Sequence, residues 1–351
     1  MNLPAMDGYR SLAMSTPDPA KKIDVALHME IQRVRETSGW RQPLLPFADL
    51  HGLASDIAIS FHGGSPAPYL TVNSDAFEWI ASAPRDSIEA VVTDPPYGLL
   101  EYTDEQLEKR KSGRGGVWRI PPTFDGCQRS PLPRFTVLGT EGHDRLRKFF
   151  EKLADGLIRI LVPGAHAFIA TNPLVSHLVY GPMIAAGFEK RGEIIRLVQT
   201  LRGGDRPKNA ENEFPDITVM PRSCWEPWGL FRKPCEGRVR DNLRKWKTGG
   251  LRRLSADEPF RDVIESGVAR NGEREIAPHP SLKPQHFMRQ LCRAALPFGE
   301  GTILDPFMGS GATIAAALAV GARAIGVEAN QDYFQMAVNA IPKLAAYRVK
   351  E

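Results

Sequence analysis

Short apolar segments alternate with longer amphipathic segments along most of this chain. Eight segments rich in branched and aromatic residues predict strands, at residues 69–74, 88–93, 165–171, 192–200, 216–220, 228–233, 301–305 and 322–328. Helical periodicity falls between several of them, at residues 144–161, 174–186, 284–296, 311–320 and 331–345. Strands that alternate with helices predict an α/β protein.

Three stretches depart from this alternation. Residues 1–50 are polar, with one predicted helix from about Pro19 to Thr37, and we expect an extension packed on the body of the protein. Residues 101–143 are rich in Gly, Pro and Arg, and residues 234–278 are basic at first and then mixed. Long stretches without a core pattern are typical of insertions at the edge of a sheet.

Composition excludes several classes of protein. The 351 residues are 42% apolar and 25% charged, which is ordinary for a globular protein. The net charge of +4 is too small to indicate a polyanionic partner unless the excess is concentrated in one place. The four cysteines show neither CxxC pairing nor a histidine at zinc spacing, so we expect free thiols and no metal site. The first 20 residues lack a secretory pattern, and the longest uncharged Ala-rich run, residues 311–322, is too short for a bilayer. We therefore expect a cytoplasmic protein.

A glycine-rich turn between two predicted strands indicates a ligand site. The segment GTILDPFMGSGATIAAALAVGARAIGVE places Gly309 and Gly311 in the turn and Glu328 at the end of the next strand. Glycines let the backbone approach a nucleotide-like ligand, and an acid in this place accepts hydrogen bonds from ribose hydroxyls. Ile314 stands where a dinucleotide fingerprint needs a third glycine, which disfavours an NAD enzyme. A tight turn into a buried Ala-rich helix is the alternative, but the complete unit with Glu328 favours binding.

A second unusual turn, DPPY at residues 94–97, follows the strand IEAVVT. Together, DPPY and the later DPFMGSG resemble the catalytic and S-adenosylmethionine (AdoMet) motifs of DNA amino-methyltransferases. The catalytic motif comes first, an order similar to the beta class, and HPSLKP at residues 279–284 is similar to an element of that class. The resemblance covers roughly residues 69–345. It implies a Rossmann-like methyltransferase fold with circularly permuted motifs and a mainly parallel sheet with an antiparallel edge strand.

The chemistry of amine methylation explains the turn independently. An exocyclic amine of a base is a poor nucleophile, because its lone pair is delocalised into the ring. The Asp94 carboxylate and the Pro95 carbonyl can each accept an N–H, and the prolines, Pro95 and Pro96, keep that carbonyl rigid. Tyr97 offers a face for stacking a base that has been flipped out of the duplex. The alternative is a Pro-rich turn without chemistry.

The resemblance also implies a set of cofactor-binding residues. It suggests Asp305 and the Gly309–Gly311 backbone, including Ser310, near the methionine part of AdoMet, Phe307 against the ligand and Glu328 on the ribose. Asp75 is expected to accept from the adenine amino group, or to cap the helix AFEWIAS, or both. Lys283, or the turn before Pro284, is expected at the methionine carboxylate, with a surface lysine as the alternative. His279 is expected to be structural.

Basic residues concentrate in two segments. Residues 228–253 hold nine Lys or Arg against two acids, and residues 110–134 hold six against one. We expect phosphate contacts there, specifically from Arg114, Arg119, Arg244, Lys245, Lys247 and Arg252. The alternative is a solvated charged face, but two such segments flanking one catalytic turn favour DNA.

The predicted organisation is a helical extension (1–50), a catalytic part (51–233) with a basic loop (101–143), a target-recognition insert (234–278) and an AdoMet-binding part (279–351). The predicted function is site-specific transfer of a methyl group from AdoMet to adenine N6 in double-stranded DNA, by base flipping. Cytosine N4 methylation and a non-catalytic DNA-binding protein with this fold remain alternatives. The resemblance further implies a nucleoid-associated protein of a prokaryote or phage, with a homodimer and a cognate restriction endonuclease as possible partners.

Overall fold

A mixed sheet of nine strands organises the residues that the computed structural model describes, which are 58–62, 69–96, 139–198, 206–207, 209–279 and 281–349. In chain order the strands are β1 (Ala58–His62), β2 (Tyr69–Asn73), β3 (Ile88–Thr93), β4 (Leu161–Ala170), β5 (Glu189–Leu197), β6 (Trp225–Arg232), β7 (Val263–Glu265), β8 (Thr302–Asp305) and β9 (Arg323–Glu328). Across the sheet their order is β1-β2-β9-β8-β3-β4-β6-β5-β7.

The centre of the sheet is parallel. Strands β2, β9, β8, β3 and β4 all run in one direction. Strand β6 runs antiparallel between β4 and β5, β1 is antiparallel on one edge, and β7 is parallel to β5 on the other. The predicted α/β fold with a mainly parallel sheet is confirmed, and besides the antiparallel edge strand β1 it contains an antiparallel strand, β6, in its interior.

Helices cover both faces of the sheet, which is why its central strands are apolar almost throughout. The helices described are α1 (Ala76–Ser82), α2 (Thr140–Ile160), α3 (Ser176–Ala185), α4 (Val239–Trp246), α5 (Asn271–Ile276), α6 (Gln285–Ala295), α7 (Ala312–Ala319) and α8 (Gln331–Ala345). Val92 and Phe168 pack into one core with α6, α7 and α8. Because side chains alternate along a strand, Val91 and Ile169 face the other side, where α2 packs against α1 and α3.

Seven of the eight predicted strands and all five predicted helices are present. The strand predicted at residues 216–220 is wrong: these residues form a turn and bends, and Ile217 and Val219 are exposed. The alternation of apolar residues at 216–220 is typical of a strand, but no strand among the described residues pairs with them, and strand formation depends on such pairing. The predicted strands and helices did not include β1, β7, α4 and α5, and the predicted helix at Pro19–Thr37 lies outside the described residues.

The chain connections define where a ligand can bind. From β3 the chain crosses to β4 on one side, and from β8 it crosses to β9 on the other. Strands β3 and β8 are neighbours, so their carboxyl ends meet at a topological switch point. Open α/β sheets bind ligands in the crevice outside such a point. Asp94 follows β3 and Asp305 ends β8, so two of the predicted site residues lie at this crevice.

Candidate active site

The glycine-rich turn after β8 needs its glycines for both conformation and space. Gly309 and Gly311 have φ of 51° and 80°, a region that side chains disfavour. A Cβ on Gly309 would lie 3.2 Å from the His279 ring, and one on Gly311 would lie 2.4 Å from Cγ1 of Ile341. Gly311 also precedes the first residue of α7 as its N-cap. The turn therefore brings backbone N–H groups and a helix start to the switch point.

Glu328 ties the end of β9 to this turn. Its Oε2 accepts from the Gly309 N–H at 3.0 Å, and its Oε1 accepts from the Asn330 N–H at 2.8 Å. Burial raises the pKa of the Glu328 carboxyl, although these two hydrogen bonds oppose the rise. The expected ribose acid thus lies beside the glycine turn.

Asp305 is buried at the base of the crevice. Its Oδ1 accepts from the Thr93 hydroxyl at 2.7 Å and from the Phe307 N–H at 3.1 Å. Burial raises the pKa of Asp305 to about 6, while these hydrogen bonds act in the opposite direction. Ser310 is also buried in the turn. A nearby cationic group would stabilise the ionised form of the buried Asp305 carboxyl, so this position favours a ligand with positive charge.

Asp75 caps helix α1. Its Oδ1 accepts from the N–H groups of Phe77 and Glu78, at 2.8 and 3.1 Å. The Ser74 N–H donates to the Glu328 carbonyl at 3.2 Å, so this cap adjoins the crevice at the switch point. The N-cap interpretation is confirmed, while a contact with the adenine of a cofactor stays a prediction.

Three phenylalanines form an aromatic wall beside the turn. The Phe307 ring lies 5.6 Å from the Phe149 ring and 6.4 Å from the Phe77 ring, measured between centroids. Phe77 and Phe149 meet edge to face at 5.1 Å. Phe307 is therefore held by two helices, α1 and α2, and Phe149 was not among the residues expected at the site.

The turn that begins at Asp94, which we call the catalytic corner after its expected role, contains an ion pair. Asp94 is half-buried, Pro95 is buried and Pro96 is exposed, while Tyr97 lies outside the described residues. The Lys283 ammonium donates to Oδ2 of Asp94. Lys283 had been expected at the methionine carboxylate, or at the surface. Its side chain is 12% exposed and pairs with Asp94, because the turn before α6 packs over the carboxyl end of β3. The surface alternative is therefore wrong, while a contact with the methionine carboxylate stays a prediction.

Two further charged residues surround Lys283. Glu226 of β6 lies 4.0 Å from the Lys283 ammonium, and it accepts from the Arg196 guanidinium at 3.2 Å and from the Trp228 indole at 2.8 Å. Neither Arg196 nor Glu226 was expected at the site from the sequence. The available signal was an arginine inside the apolar run IIRLV and a glutamate inside WEPW.

His279 supports the turn region. Its ring meets the Tyr333 ring at 4.5 Å, and its Nδ1 accepts from the Ser281 N–H at 3.2 Å. Burial lowers the pKa of His279 to about 4. A neutral ring packed under Gly309 agrees with the structural part expected of it.

The basic segment after β6 lies at the other end of the sheet. Asn242 of α4 donates to the Pro163 carbonyl at 3.0 Å, at the amino end of β4, and Lys233 contacts Asp86 just before β3. The expectation that Arg244, Lys245, Lys247 and Arg252 flank the catalytic corner is therefore wrong. Strand β6 is antiparallel to β4, so the chain leaves β6 where the parallel strands begin, which we call the amino edge of the sheet. Asp94 lies at the opposite end, where these strands finish. Arg114 and Arg119 lie outside the described residues.

No helix among the described residues is long and apolar enough to cross a membrane. Within the same residues, no group of three or more His, Cys, Asp or Glu side chains is arranged to hold a metal ion.

Comparisons with known proteins agree with this geometry. A family model of the N6/N4 type, described as DNA methylase, matches residues 208–339. The Type II methyltransferase M2.DpnII of Streptococcus pneumoniae is 31% identical over 269 residues, which cover 76% of this chain and 87% of that protein. The Type II methyltransferase M.HindIII of Haemophilus influenzae is 25% identical over 77% of this chain and 94% of its own length.

A solved structure shares the fold. The PvuII DNA methyltransferase, which is cytosine-N4-specific, superposes with a TM-score of 0.50 at 13% identity, covering 79% of this chain and 91% of that one. The fold, the paired motifs at the switch point and the extent of the similarity to M2.DpnII lead to one conclusion. The chain belongs to the N6/N4 family of DNA methyltransferases.

Proposed function

We propose that this DNA methyltransferase transfers a methyl group from AdoMet to the N6 amino group of adenine at a specific site in double-stranded DNA. One observation carries the proposal: the Asp94 carboxylate, at the end of β3, lies beside the glycine-rich turn that follows the neighbouring strand β8. A hydrogen-bond acceptor for an amine and a cofactor turn thus share one crevice.

AdoMet is the cofactor of this family, and the crevice has the groups that it requires. Asp305 would face the cationic methionine part, where a positive charge offsets the cost of burying an ionised carboxylate. Glu328 would accept from ribose hydroxyls, and the absence of a side chain at Gly309 leaves room for close approach of a ligand. Phe307, held between Phe77 and Phe149, would pack against the ligand.

Bound there, AdoMet would supply an electrophilic methyl group, with its sulfur leaving as a neutral thioether and one proton of the amine passing to water. Asp94 and the Pro95 carbonyl accept the two N–H groups of the target amine and direct its lone pair toward that methyl group. As positive charge grows on the nitrogen, both hydrogen bonds strengthen, which stabilises the transition state. Proline at residues 95 and 96 restricts the backbone, so the acceptor geometry is set before the base enters. Tyr97 is proposed to stack on the flipped base.

A single residue, Asp94, supports adenine rather than cytosine as the proposed substrate. Asp94 occupies the first position of the catalytic motif, and within the beta class an aspartate there, rather than a serine, favours adenine. The same pair of acceptors suits the N4 amine of cytosine, which is the second candidate substrate. A non-catalytic DNA-binding protein is the third reading, and the intact Asp94, Gly309 and Glu328 argue against it.

The biological setting is proposed from the similarity to Type II methyltransferases. A cognate restriction endonuclease, a homodimeric state and a cytoplasmic, nucleoid-associated location in a prokaryote or phage are the corresponding expectations.

The decisive experiment is expression in a host that lacks DNA methylation, followed by single-molecule sequencing of the host DNA. We expect N6-methyladenine at one recurring sequence, and none in cells that express Asp94→Ala. N4-methylcytosine would establish the second candidate instead. Unmodified DNA from a well-expressed, folded protein that binds AdoMet would support the non-catalytic reading.

A further inference from the structure

Four charged side chains of alternating sign run inward from the catalytic corner. Asp94 contacts Lys283, Lys283 lies 4.0 Å from Glu226, and Glu226 contacts Arg196 at 3.2 Å. Their side chains are 19%, 12%, 23% and 6% exposed, respectively. We call these four residues the charge chain. They come from four separate places in the sequence, so only the folded sheet brings them together.

The inner end of the charge chain is fixed by several contacts. The Arg196 guanidinium donates to the Ser266 hydroxyl at 3.2 Å and to the Gly267 carbonyl at 2.7 Å, and it lies over the Phe287 ring at 5.4 Å. Trp228 holds the second oxygen of Glu226. Arg196 and Glu226 are also directly opposite each other in the β5–β6 ladder. Glu226 therefore has little freedom to move, whereas Lys283 reaches Asp94 on a flexible stem.

We propose that Glu226 is a positioning residue for methyl transfer, which acts by holding Lys283 and thereby the orientation of the Asp94 carboxylate. The inference rests on the proposed role of Asp94 as acceptor for the target amine. Lys283 occupies Oδ2 of Asp94 before the amine arrives. When an amine N–H takes that place, Lys283 shifts toward Glu226, whose 4.0 Å separation leaves room for a closer contact.

Because the charge chain is largely buried, a contribution to stability alone does not explain why these four charged residues are present. Removing charged groups from water costs several kcal/mol for each ion, so a buried ion pair often stabilises a protein no more than apolar residues of the same size. Burial alone would lower the pKa of Lys283, but the facing carboxylates of Asp94 and Glu226 outweigh it and raise that pKa, against an opposing effect of Arg196. His279 also faces this group and is held neutral near pH 7. Lys283 therefore stays charged at neutral pH.

The structure provides a matched control for Glu226. Glu189 pairs with Arg232 across the same two strands, again as direct neighbours in the ladder, but at the amino edge of the sheet. Glu189→Gln therefore removes the same charge from the same kind of Arg–Glu pair, at the end of the sheet remote from Asp94.

The experiment measures steady-state methylation of a duplex that carries the mapped target site. Glu226→Gln should lower kcat by about 10- to 100-fold, the scale known for residues that orient a metal ligand, with the KM for AdoMet unchanged. Glu189→Gln should leave both constants near wild type. Lys283→Met should lower kcat to a similar extent, and the double variant of Glu226 and Lys283 should be no worse than either single one.

Three outcomes would overturn the inference. Glu226→Gln could match Glu189→Gln in kcat, the two single effects could multiply in the double variant, or Lys283→Met could raise the KM for AdoMet with kcat unchanged. If Glu226→Gln does not fold, Lys283→Met can still refute the inference. It leaves the Glu226 contacts with Arg196 and Trp228 in place, and an unchanged kcat would show that Lys283 does not orient Asp94. Turnover by Asp94→Ala would instead refute the role proposed for Asp94. An inactive Asp94→Ala with Glu226→Gln at control activity would refute this inference alone.

Discussion

Replacing Gly311 by alanine tests whether the turn after β8 is set by backbone conformation, by packing, or by both. Gly311 has φ of +80°, and a Cβ placed there would lie 2.4 Å from Cγ1 and 2.8 Å from Cδ1 of Ile341 in helix α8. Gly321, in the turn before β9, has φ of +81°, and a Cβ placed there would meet no atom within 4 Å. The two glycines share one backbone conformation and differ in space, so Gly321→Ala is the matched control.

The expected cost follows from these two contributions. An L-residue in the left-handed region costs about 1 to 2 kcal/mol, which is the whole effect expected for Gly321→Ala. An added methyl group in a well-packed core costs about 1 to 3 kcal/mol more. Gly311→Ala should therefore lower the free energy of unfolding by about 2 to 5 kcal/mol. The displaced turn should also weaken AdoMet binding, which Gly321→Ala should leave unchanged.

Urea unfolding measures the free energy of unfolding, and calorimetry measures the affinity for AdoMet. An Ile341→Ala background removes both atoms that would lie within 3.0 Å of the new methyl group and leaves the Ala337 Cβ at 3.3 Å. In that background Gly311→Ala should cost about as much as Gly321→Ala does, so the two substitutions should show a coupling energy of about 1 to 3 kcal/mol. Equal costs for Gly311→Ala and Gly321→Ala in the native background would refute the packing argument.

Three other predictions concern the cofactor and the DNA. Glu328→Ala should weaken AdoMet binding by about 1.5 to 3 kcal/mol through lost charge-assisted hydrogen bonds, and an unchanged affinity in calorimetry would place the ribose elsewhere. Burial raises the pKa of Asp305 to about 6, so below that pH the carboxyl is protonated and no longer attracts a cation. AdoMet should therefore bind about tenfold more weakly for each pH unit below 6, and its affinity should not depend on pH well above 6. Asp305→Asn should remove that pH dependence, and a wild-type affinity that is constant between pH 5 and pH 7 would contradict it. Neutralising Arg244, Lys245 and Lys247 together would flatten the dependence of log affinity on log salt by about 2 to 3 if each met a phosphate. We expect an unchanged slope for duplex binding, because α4 lies at the amino edge of the sheet, and a flattened slope would mean that DNA extends to that edge.

Local sequence patterns were sufficient for most of the fold and for the glycine-rich turn after β8. The strand before Asp94 and the strand before Asp305 are short apolar segments that end at an acid, and their neighbours in the chain define both turns. Gly309 and Gly311 could be recognised because their conformation is fixed by a few adjacent residues. The N-cap position of Asp75 was also one of the two interpretations that its local sequence offered.

The contacts of Lys283 could not be predicted in this way. Its partner Asp94 is 189 positions away in the sequence, and Arg196 lies 30 positions before Glu226. Such pairs depend on strand order, which local periodicity does not encode. The position of the basic segment depends likewise on the direction of one strand, β6. If β6 were parallel to β4, it would end near the carboxyl end of β3, where Asp94 lies.

The place of β8 and β9 within the sheet also affects how the protein is made. Both strands are translated after the other seven, yet they lie between β2 and β3. Until the ribosome has released residues 302–328, β2 and β3 each keep an unpaired edge. Unpaired edges of apolar strands promote association with other chains, and sheets assembled from distant segments fold slowly. A nascent chain that stops short of β9 should therefore aggregate rather than fold into a smaller sheet, and chaperones that bind exposed strands should improve the yield of full-length protein.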